Sequence, residues 1–284
     1  MSNRKGGYSE APRIFTQEYY QHLHNLGLHH WWAIGMRAIA ERMLNPHFQG
    51  RQNLRIMDAG CGTGIILSWL ERYTSPEKIV GFEISKYALD FCKGQPLRQL
   101  AQASITQLPF LDESFDLITC LDVLQHLPQD GSDRQAFLEC WRVIKPGGFL
   151  YLRTNACHTT EAQYEKLAGR EPKPLNYHQY PREELIKILI QTGFIPERVT
   201  YANMLPALVK IWLHRLNPFR LREGDGGQDR GLTMRVPPIW LNNVLKFVMG
   251  AEARYLAEPE RKLPYGHSLI CLAAKPARTG GAEV

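Results

Sequence analysis

Asp58-Ala59-Gly60-Cys61-Gly62-Thr63-Gly64 follows the expected strand 54–57 directly and leads straight into a helical pattern, so it reads as a strand-to-helix turn. Such a turn needs glycine where φ is positive or where a ligand lies against the backbone. The helix N-terminus that follows presents free N–H groups, so the stretch reads as a cofactor cradle. Its spacing excludes two common cradles. A dinucleotide fingerprint runs G-x-G-x-x-G, whereas Gly60, Gly62 and Gly64 alternate and position 65 is Ile65. No Gly-Lys-Ser/Thr follows to make a triphosphate-binding loop. A second signal, Glu83, ends the run Ile79-Val80-Gly81-Phe82-Glu83 about twenty residues further on. A carboxylate only accepts hydrogen bonds, and at a strand end it can take both hydroxyls of a ribose; taken alone it would be a solvated strand-end acid.

Outward from this turn, short apolar runs alternate with helical patterns, the signature of βαβ units. Strands are expected near 54–59, 79–84, 98–103, 116–121, 149–154 and 195–202, with helices near 64–73, 85–93, 133–144 and 182–192. A last strand, 267–274, follows a gap of about sixty residues, too long for an ordinary loop. Two helical patterns fill that gap: Leu205, Leu208, Val209, Trp212 and Leu216 share one face, and Leu241, Val244, Leu245 and Val248 another. Between them 223–231 is a polar link. At the other end, Thr16 is placed to cap a helix stapled by Phe15 and Tyr20, and a second helix carries Trp32, Met36, Ile39 and Met43 on one face before Pro46 closes it. The chain therefore divides into an N-terminal helical lid (1–50), a core (51–203 and 265–276), a helical substrate-cap insert (204–264) and a disordered tail (277–284).

The 284 residues are 44% hydrophobic and 22% charged, the composition of one large α/β domain with additions. No apolar run approaches the roughly 18 residues that cross a bilayer, and the polar start has no signal-peptide core, so a cytoplasmic protein is expected. Six scattered cysteines show no metal-binding spacing, and reduced thiols with no metal site are expected. The net charge is +6, and the stretch 205–264 holds ten Lys/Arg against six Asp/Glu. That excess is modest and no nucleic-acid-binding motif accompanies it, so no nucleic-acid partner is expected.

Asp58 to Gly64 resembles motif I of the class I S-adenosylmethionine-dependent methyltransferases, and Glu83 matches their ribose-binding acid. Three further stretches are similar to that family's motifs, in the same order: Leu108-Pro109-Phe110-Leu111-Asp112-Glu113-Ser114-Phe115-Asp116, Leu121-Asp122-Val123-Leu124-Gln125-His126-Leu127 and Val143-Ile144-Lys145-Pro146-Gly147-Gly148. The likeness is to the methyltransferase type 11, small-molecule and quinone-biosynthesis branch, and it weakens after about residue 203. It implies a Rossmann-like, doubly wound seven-stranded sheet of order 3-2-1-4-5-7-6 with the last strand antiparallel. It also implies S-adenosyl-L-methionine as cofactor. Asp58, Gly60, Cys61, Gly62 and Gly64 would lie at its methionine part, Glu83 and Ile84 at the ribose, Ser104 and Ile105 beside the adenine, and Leu121, Asp122 and Gln125 at the end of the fourth strand. Ser104 departs from the pattern, because many relatives carry Asp there. Arg37, beside His29-His30-Trp31-Trp32, can pair with the cofactor carboxylate, although two Trp opening an amphipathic helix also read as core.

Methyl transfer from a sulfonium is an in-line substitution, for which the protein supplies position, desolvation and in some cases a base. The base candidates are His126, His158, Tyr177 and His178, weighed against a packed structural histidine at 126 and a polar loop capping the next helix. The expected acceptor is a small, partly hydrophobic or lipid-like molecule methylated on O, C or N. The insert 204–264 fits a cover over such a substrate, a peripheral membrane contact attracted to anionic headgroups, or a plain helical cap with a basic solvent face. Competing functions are a cofactor-binding regulatory protein without turnover and a methyltransferase of a membrane lipid or isoprenoid. A nicotinamide oxidoreductase is disfavoured by the glycine spacing.

Overall fold

The computed structural model describes residues 16–51, 53–93, 99–128, 130–157, 178–216 and 234–278. At its centre β1 (Ile56–Ala59) is buried at all four positions, as a parallel strand covered on both faces must be. β2 (Ile79–Glu83) pairs with it in parallel on one side and β4 (Phe115–Leu121) on the other. β3 (Gln99–Gln102) lies outside β2, and β5 (Ile144–Asn155) outside β4. β7 (Ser268–Ala274) runs antiparallel between β5 and β6 (Ile195–Ala202), which completes the order β3-β2-β1-β4-β5-β7-β6. The expected topology is therefore present. Strand order reverses at β1, so the crevice beyond the C-terminal ends of β1 and β4 is where such a sheet binds ligands.

Alternation along the strands sends neighbouring residues to opposite cores. On one face Met57, Val80, Phe82, Ile118, Leu150 and Leu152 meet Phe137 and Cys140 of α5 (Ser132–Val143) and Leu185 and Leu189 of α6 (Arg182–Gln191). The other face brings Ile56, Ile79, Leu117, Tyr151 and Ile270 against Met36, Ile39 and Met43 of α2 (Trp31–Phe48) and Leu67 and Leu70 of α3 (Ile65–Leu70). Met249 and Ala253 of α8 (Ile239–Tyr255) complete that second core. The predicted Thr16 cap is made: its Oγ1 accepts from Tyr19 N at 3.3 Å to start α1 (Gln17–His29). α4 (Lys86–Cys92) and α7 (Met204–Leu216) complete the described helices.

Three expectations change. Pro46 does not close α2; it sits in the last turn, where the missing N–H removes a single bond, and the helix ends at Phe48. Pro146 and Gly147 lie inside the span of β5 as an irregularity, because Gly147 N bonds Lys275 O and Lys275 N bonds Gly148 O, both at 2.9 Å. The third concerns the insert, whose exposed faces carry large apolar side chains as well as the basic residues expected there. Leu205, Leu208, Val209 and Trp212 of α7 are 46–61% exposed. On α8 the buried positions are Asn242, Met249, Glu252 and Ala253, which leaves Val244 in solvent and Leu241, Leu245 and Val248 half-buried. That choice of face follows from long-range contacts. Gly35 of α2 lies so close to α8 that a Cβ there would sit 2.4 Å from Met249 Cβ. Asn242 accepts from Trp31 N and donates to His29 O, both at 2.9 Å, fastening α8 to the α1–α2 junction. Phe15, residues 223–231 and 279–284 lie outside the described residues.

Candidate cofactor and active site

The glycine turn is held by strand β2. The N–H groups of Gly60 and Cys61 both donate to Phe82 O at 2.9 Å. Gly60 has φ +73°, and a Cβ on it would lie 2.4 Å from Val123 Cγ2, so the position demands glycine on two counts. Gly62 (φ +51°) is different: its added Cβ would meet nothing nearer than Leu23 Cδ2 of α1, at 4.0 Å. The backbone there faces open space roofed by α1. α1 is seated across the turn, since Gly27 abuts Ile65 of α3 and the His24 ring stacks on Phe91 of α4 with centroids 5.7 Å apart. The Cys61 thiol is buried, and Gly64 starts α3 in the left-handed conformation.

Glu83 closes the turn from the other side. Its Oε2 accepts from Gly62 N at 3.1 Å, while Oε1 accepts from Ile84 N at 2.8 Å and Ser85 N at 3.1 Å. An ionised carboxylate offers about four acceptor positions, so three bonds to the backbone leave capacity for a further donor. Beside it, Ile84 presents an apolar side chain that is 60% exposed. Ile105 is buried, and the Ser104 hydroxyl is engaged locally, 2.8 Å from Thr106 Oγ1.

Asp58 is fully buried at the end of β1 and accepts from Thr119 Oγ1 at 2.5 Å. Burial lifts its pKa to about 7; the Thr119 bond pulls it down, the Glu83 charge adds to the rise and Arg153 opposes it. At the end of β4, Leu121 is half-buried and Asp122 takes a left-handed φ of +59°. The Asp122 carboxylate caps no helix; it pairs with Arg153, Nη2 to Oδ2 at 2.5 Å and Nε to both oxygens at 3.1 Å. The Arg153 guanidinium also lies 4.6 Å from the Trp32 ring centroid. Trp32 is therefore half-buried on the site's cation. Arg37 donates from Nη1 to Gly27 O at 2.8 Å, and burial with Arg153 and Arg72 nearby holds its pKa below the usual value. No described carboxylate lies in ion-pair range of Arg37, so its charge is available to an anion.

Tyr19 and Tyr20 of α1 also belong to the site, and the sequence reading missed them as site residues. Burial, with the Asp122 and Glu83 charges, raises the Tyr19 pKa to about 12, so its hydroxyl stays protonated. Tyr20 is buried, and burial raises its hydroxyl pKa well above the usual value, with Ser85 opposing. Tyr19 and Leu23 are four apart on one helix face, a spacing that would have disclosed them had the face been read as lining a site.

Among the proposed bases, His126 lies in a 3₁₀ turn, Leu124–His126, and its side chain is exposed. Crowding around its ring lowers the pKa, with Asp122 opposing. His178 is brought beside that turn, because its N–H donates to Gln125 O at 2.9 Å and its ring stacks on Tyr180 at 4.2 Å. His158 and Tyr177 lie outside the described residues. Gln125 Oε1 is buried without a partner at the mouth of the crevice, an acceptor that awaits a donor. Open backbone at Gly62, spare capacity on Glu83, uncompensated Arg37 and the orphaned Gln125 oxygen together suit a ligand with hydroxyls, a carboxylate and a donor group. Among the described residues, no group of three His, Cys, Asp or Glu could hold a metal.

The methyltransferase domain family model matches residues 57–152. The ubiquinone biosynthesis O-methyltransferase of Paracidovorax citrulli is 29% identical over 140 residues, which are 44% of this chain and 57% of that protein. The protein of the same name from Alkalilimnicola ehrlichii is 32% identical over 111 residues, 37% of this chain and 43% of that protein. The chain thus spans about half the length of these curated relatives. An S-adenosylmethionine-dependent methyltransferase of Thermotoga maritima shares the fold with a TM-score of 0.52 at 16% identity, over 92% of this chain and 98% of that one. Over residues 57–152 the chain is thus similar to a methyltransferase domain, and the seven-stranded sheet built around that stretch is a fold it shares with methyltransferase structures.

Proposed function

We propose that the chain transfers a methyl group from S-adenosyl-L-methionine to a small, partly apolar acceptor. The observation that carries this reading is the Glu83 carboxylate, bonded to Gly62 N at 3.1 Å and buried beneath α1 with acceptor capacity to spare. In the proposed site Glu83 accepts from ribose hydroxyls, Ile84 and Ile105 flank an aromatic base, and Ser104 borders it. Asp58 and the backbone at Gly60, Cys61, Gly62 and Gly64 surround an amino-acid moiety whose carboxylate Arg37 balances. Gln125 offers its orphaned oxygen to a donor, and the Asp122–Arg153 pair keeps that wall rigid between Leu121 and Trp32. The bound cofactor supplies an electrophilic methyl group on a sulfonium.

The protein's own part is placement and desolvation. α1 lays Tyr19, Tyr20 and Leu23 over the crevice and excludes water, which strengthens every charge interaction beneath it. His126 and the backbone of His178 both lie at the turn after β4, where His178 N donates to Gln125 O at 2.9 Å. A lowered imidazole pKa leaves His126 neutral at pH 7, the state that accepts a proton from an acceptor hydroxyl. That the matched relatives are named as O-methyltransferases of ubiquinone biosynthesis supports oxygen as the methylated atom. The six free thiols fit a reducing compartment, so we place the reaction in the cytoplasm.

Isothermal titration with S-adenosylhomocysteine tests the cofactor half, and formation of that product from S-adenosylmethionine across phenol and quinol acceptors tests the rest. Binding together with acceptor-dependent turnover is the expected result. No binding by the folded protein would sink the reading.

A further inference from the structure

The two insert helices turn apolar stripes to solvent. On α7 these are Leu205, Leu208, Val209 and Trp212, spaced i, i+3, i+4 and i+7, with Trp212 61% exposed. On α8 they are Trp240, Val244 and Phe247, with Trp240 69% and Phe247 71% exposed, on the side opposite the one packed against α2. Ile239, at the start of α8, is 82% exposed. Packing against the described residues explains none of these side chains, and so many on two helices tied together at Glu252 exceeds the single scattered apolar residues of an ordinary surface.

Within the two helices the exposed charges are of one sign. The sequences of α7 and α8 contain Lys210, Arg215, Lys246 and Arg254 and a single acid, Glu252. Glu252 is buried and faces inward, its oxygens accepting from Asn203 N at 2.6 Å and Met204 N at 3.0 Å. The exposed faces therefore carry no carboxylate. Arg254 lies over the exposed Phe247 ring, 5.9 Å from its centroid; Arg261, over Tyr255 at 5.1 Å, is paired with Glu258 at 2.9 Å just past the end of α8. Exposed Trp and Phe beside Arg and Lys, with no acid between them, is the pattern of a helix that lies in a bilayer interface. A second copy of the chain would bring like charges together on this face, which argues against self-association.

We infer that the outer faces of α7 and α8 dock this protein on an anionic phospholipid surface, with Trp212, Trp240 and Phe247 entering the headgroup boundary and Arg254 meeting lipid phosphates. Docking goes beyond the methyl-transfer reading and needs neither cofactor nor acceptor, so either can fail without the other. α8 is also fastened by Asn242 to the junction of α1 and α2, the helices that cover the glycine turn, so the surface and the candidate site share a support.

The test is co-sedimentation of the full chain with vesicles of phosphatidylcholine alone and of about three parts phosphatidylcholine to one part phosphatidylglycerol. The wild type should partition at least about tenfold more strongly onto the anionic vesicles. Trp212→Ser combined with Trp240→Ser and Phe247→Ser should lose about tenfold or more of that binding while keeping its circular dichroism and its affinity for S-adenosylhomocysteine. A measurement that needs no variant is quenching of the wild type's tryptophan fluorescence by brominated lipids in the same vesicles, which docking requires. Absence of both partitioning and quenching would overturn the inference, as would unchanged binding in a folded triple variant. Sedimentation equilibrium showing a dimer that the triple variant dissociates, without vesicle binding, would assign the face to a second copy instead.

Discussion

Glu83→Gln separates the two tasks of that side chain. A glutamine carbonyl can still accept from Ile84 and Ser85, which bond Oε1 at 2.8 and 3.1 Å, but its amide nitrogen would then face Gly62 N, which now donates to Oε2 at 3.1 Å. Two donors would oppose each other, and the glycine turn would lose its tie to β2 at that point. Leaving a half-buried N–H without an acceptor costs about 1 kcal/mol, the low end of the range for unmade bonds. That corresponds to a melting temperature lower by about 2–4 °C in a chain of this size. Loss of one charge-assisted hydrogen bond to a ribose hydroxyl removes about 1.5–3 kcal/mol more from ligand binding. At about 1.4 kcal/mol per tenfold, S-adenosylhomocysteine should bind roughly 10- to 150-fold more weakly. Titration calorimetry reads the affinity, and thermal unfolding without ligand reads the stability. Binding within about threefold of the wild type, in a variant that melts as described, would refute the ribose role and with it the argument from Glu83 to the cofactor.

Gly60→Ala forces a side chain into φ +73° and within 2.4 Å of Val123 Cγ2, so thermal unfolding should show a loss of about 2–4 kcal/mol, together with loss of S-adenosylhomocysteine binding. Asp58, lifted from an ordinary 3.8 to about 7, keeps in the folded state a proton that the unfolded chain releases. Its contribution is fully present below about pH 4 and fades as pH rises to about 7, an effect on the order of 2–4 kcal/mol; urea unfolding across that window should therefore be flatter for Asp58→Asn than for the wild type. Asp122→Ala leaves the buried Arg153 guanidinium without its carboxylate and should destabilise by about 2–4 kcal/mol, with part recovered when Arg153→Met is added; equal melting of both variants would show the pair to be inert.

The core was legible because its signals are local. Asp58 to Gly64, Glu83 at a strand end and the apolar runs of β1, β2 and β4 each depend on residues within one βα unit, where backbone sterics and period-two burial leave few alternatives. The strands and the position of the glycine turn were expected from such units, while the strand order, with its antiparallel last strand, was implied only by the resemblance of the motifs to a known family. What the sequence could not determine are choices made by contacts across the chain. Asn242 meets Trp31 and His29 across more than two hundred residues, and Met249 meets Gly35; those contacts decide which side of α8 is buried and so leave Trp240 and Phe247 in solvent. Likewise Tyr19 became a site residue only when α1 folded over the glycine turn, and Trp32 only when α2 brought it onto Arg153, whereas Arg37 was already expected at the site from the sequence. Asp122 read as a cofactor-side residue at the end of the fourth strand, and its pairing with Arg153, on a different strand, appears only in the folded chain. Periodicity shows that a helix has an apolar face, but the free energy that decides whether that face is covered comes from packing against distant residues, and only the tertiary structure contains it.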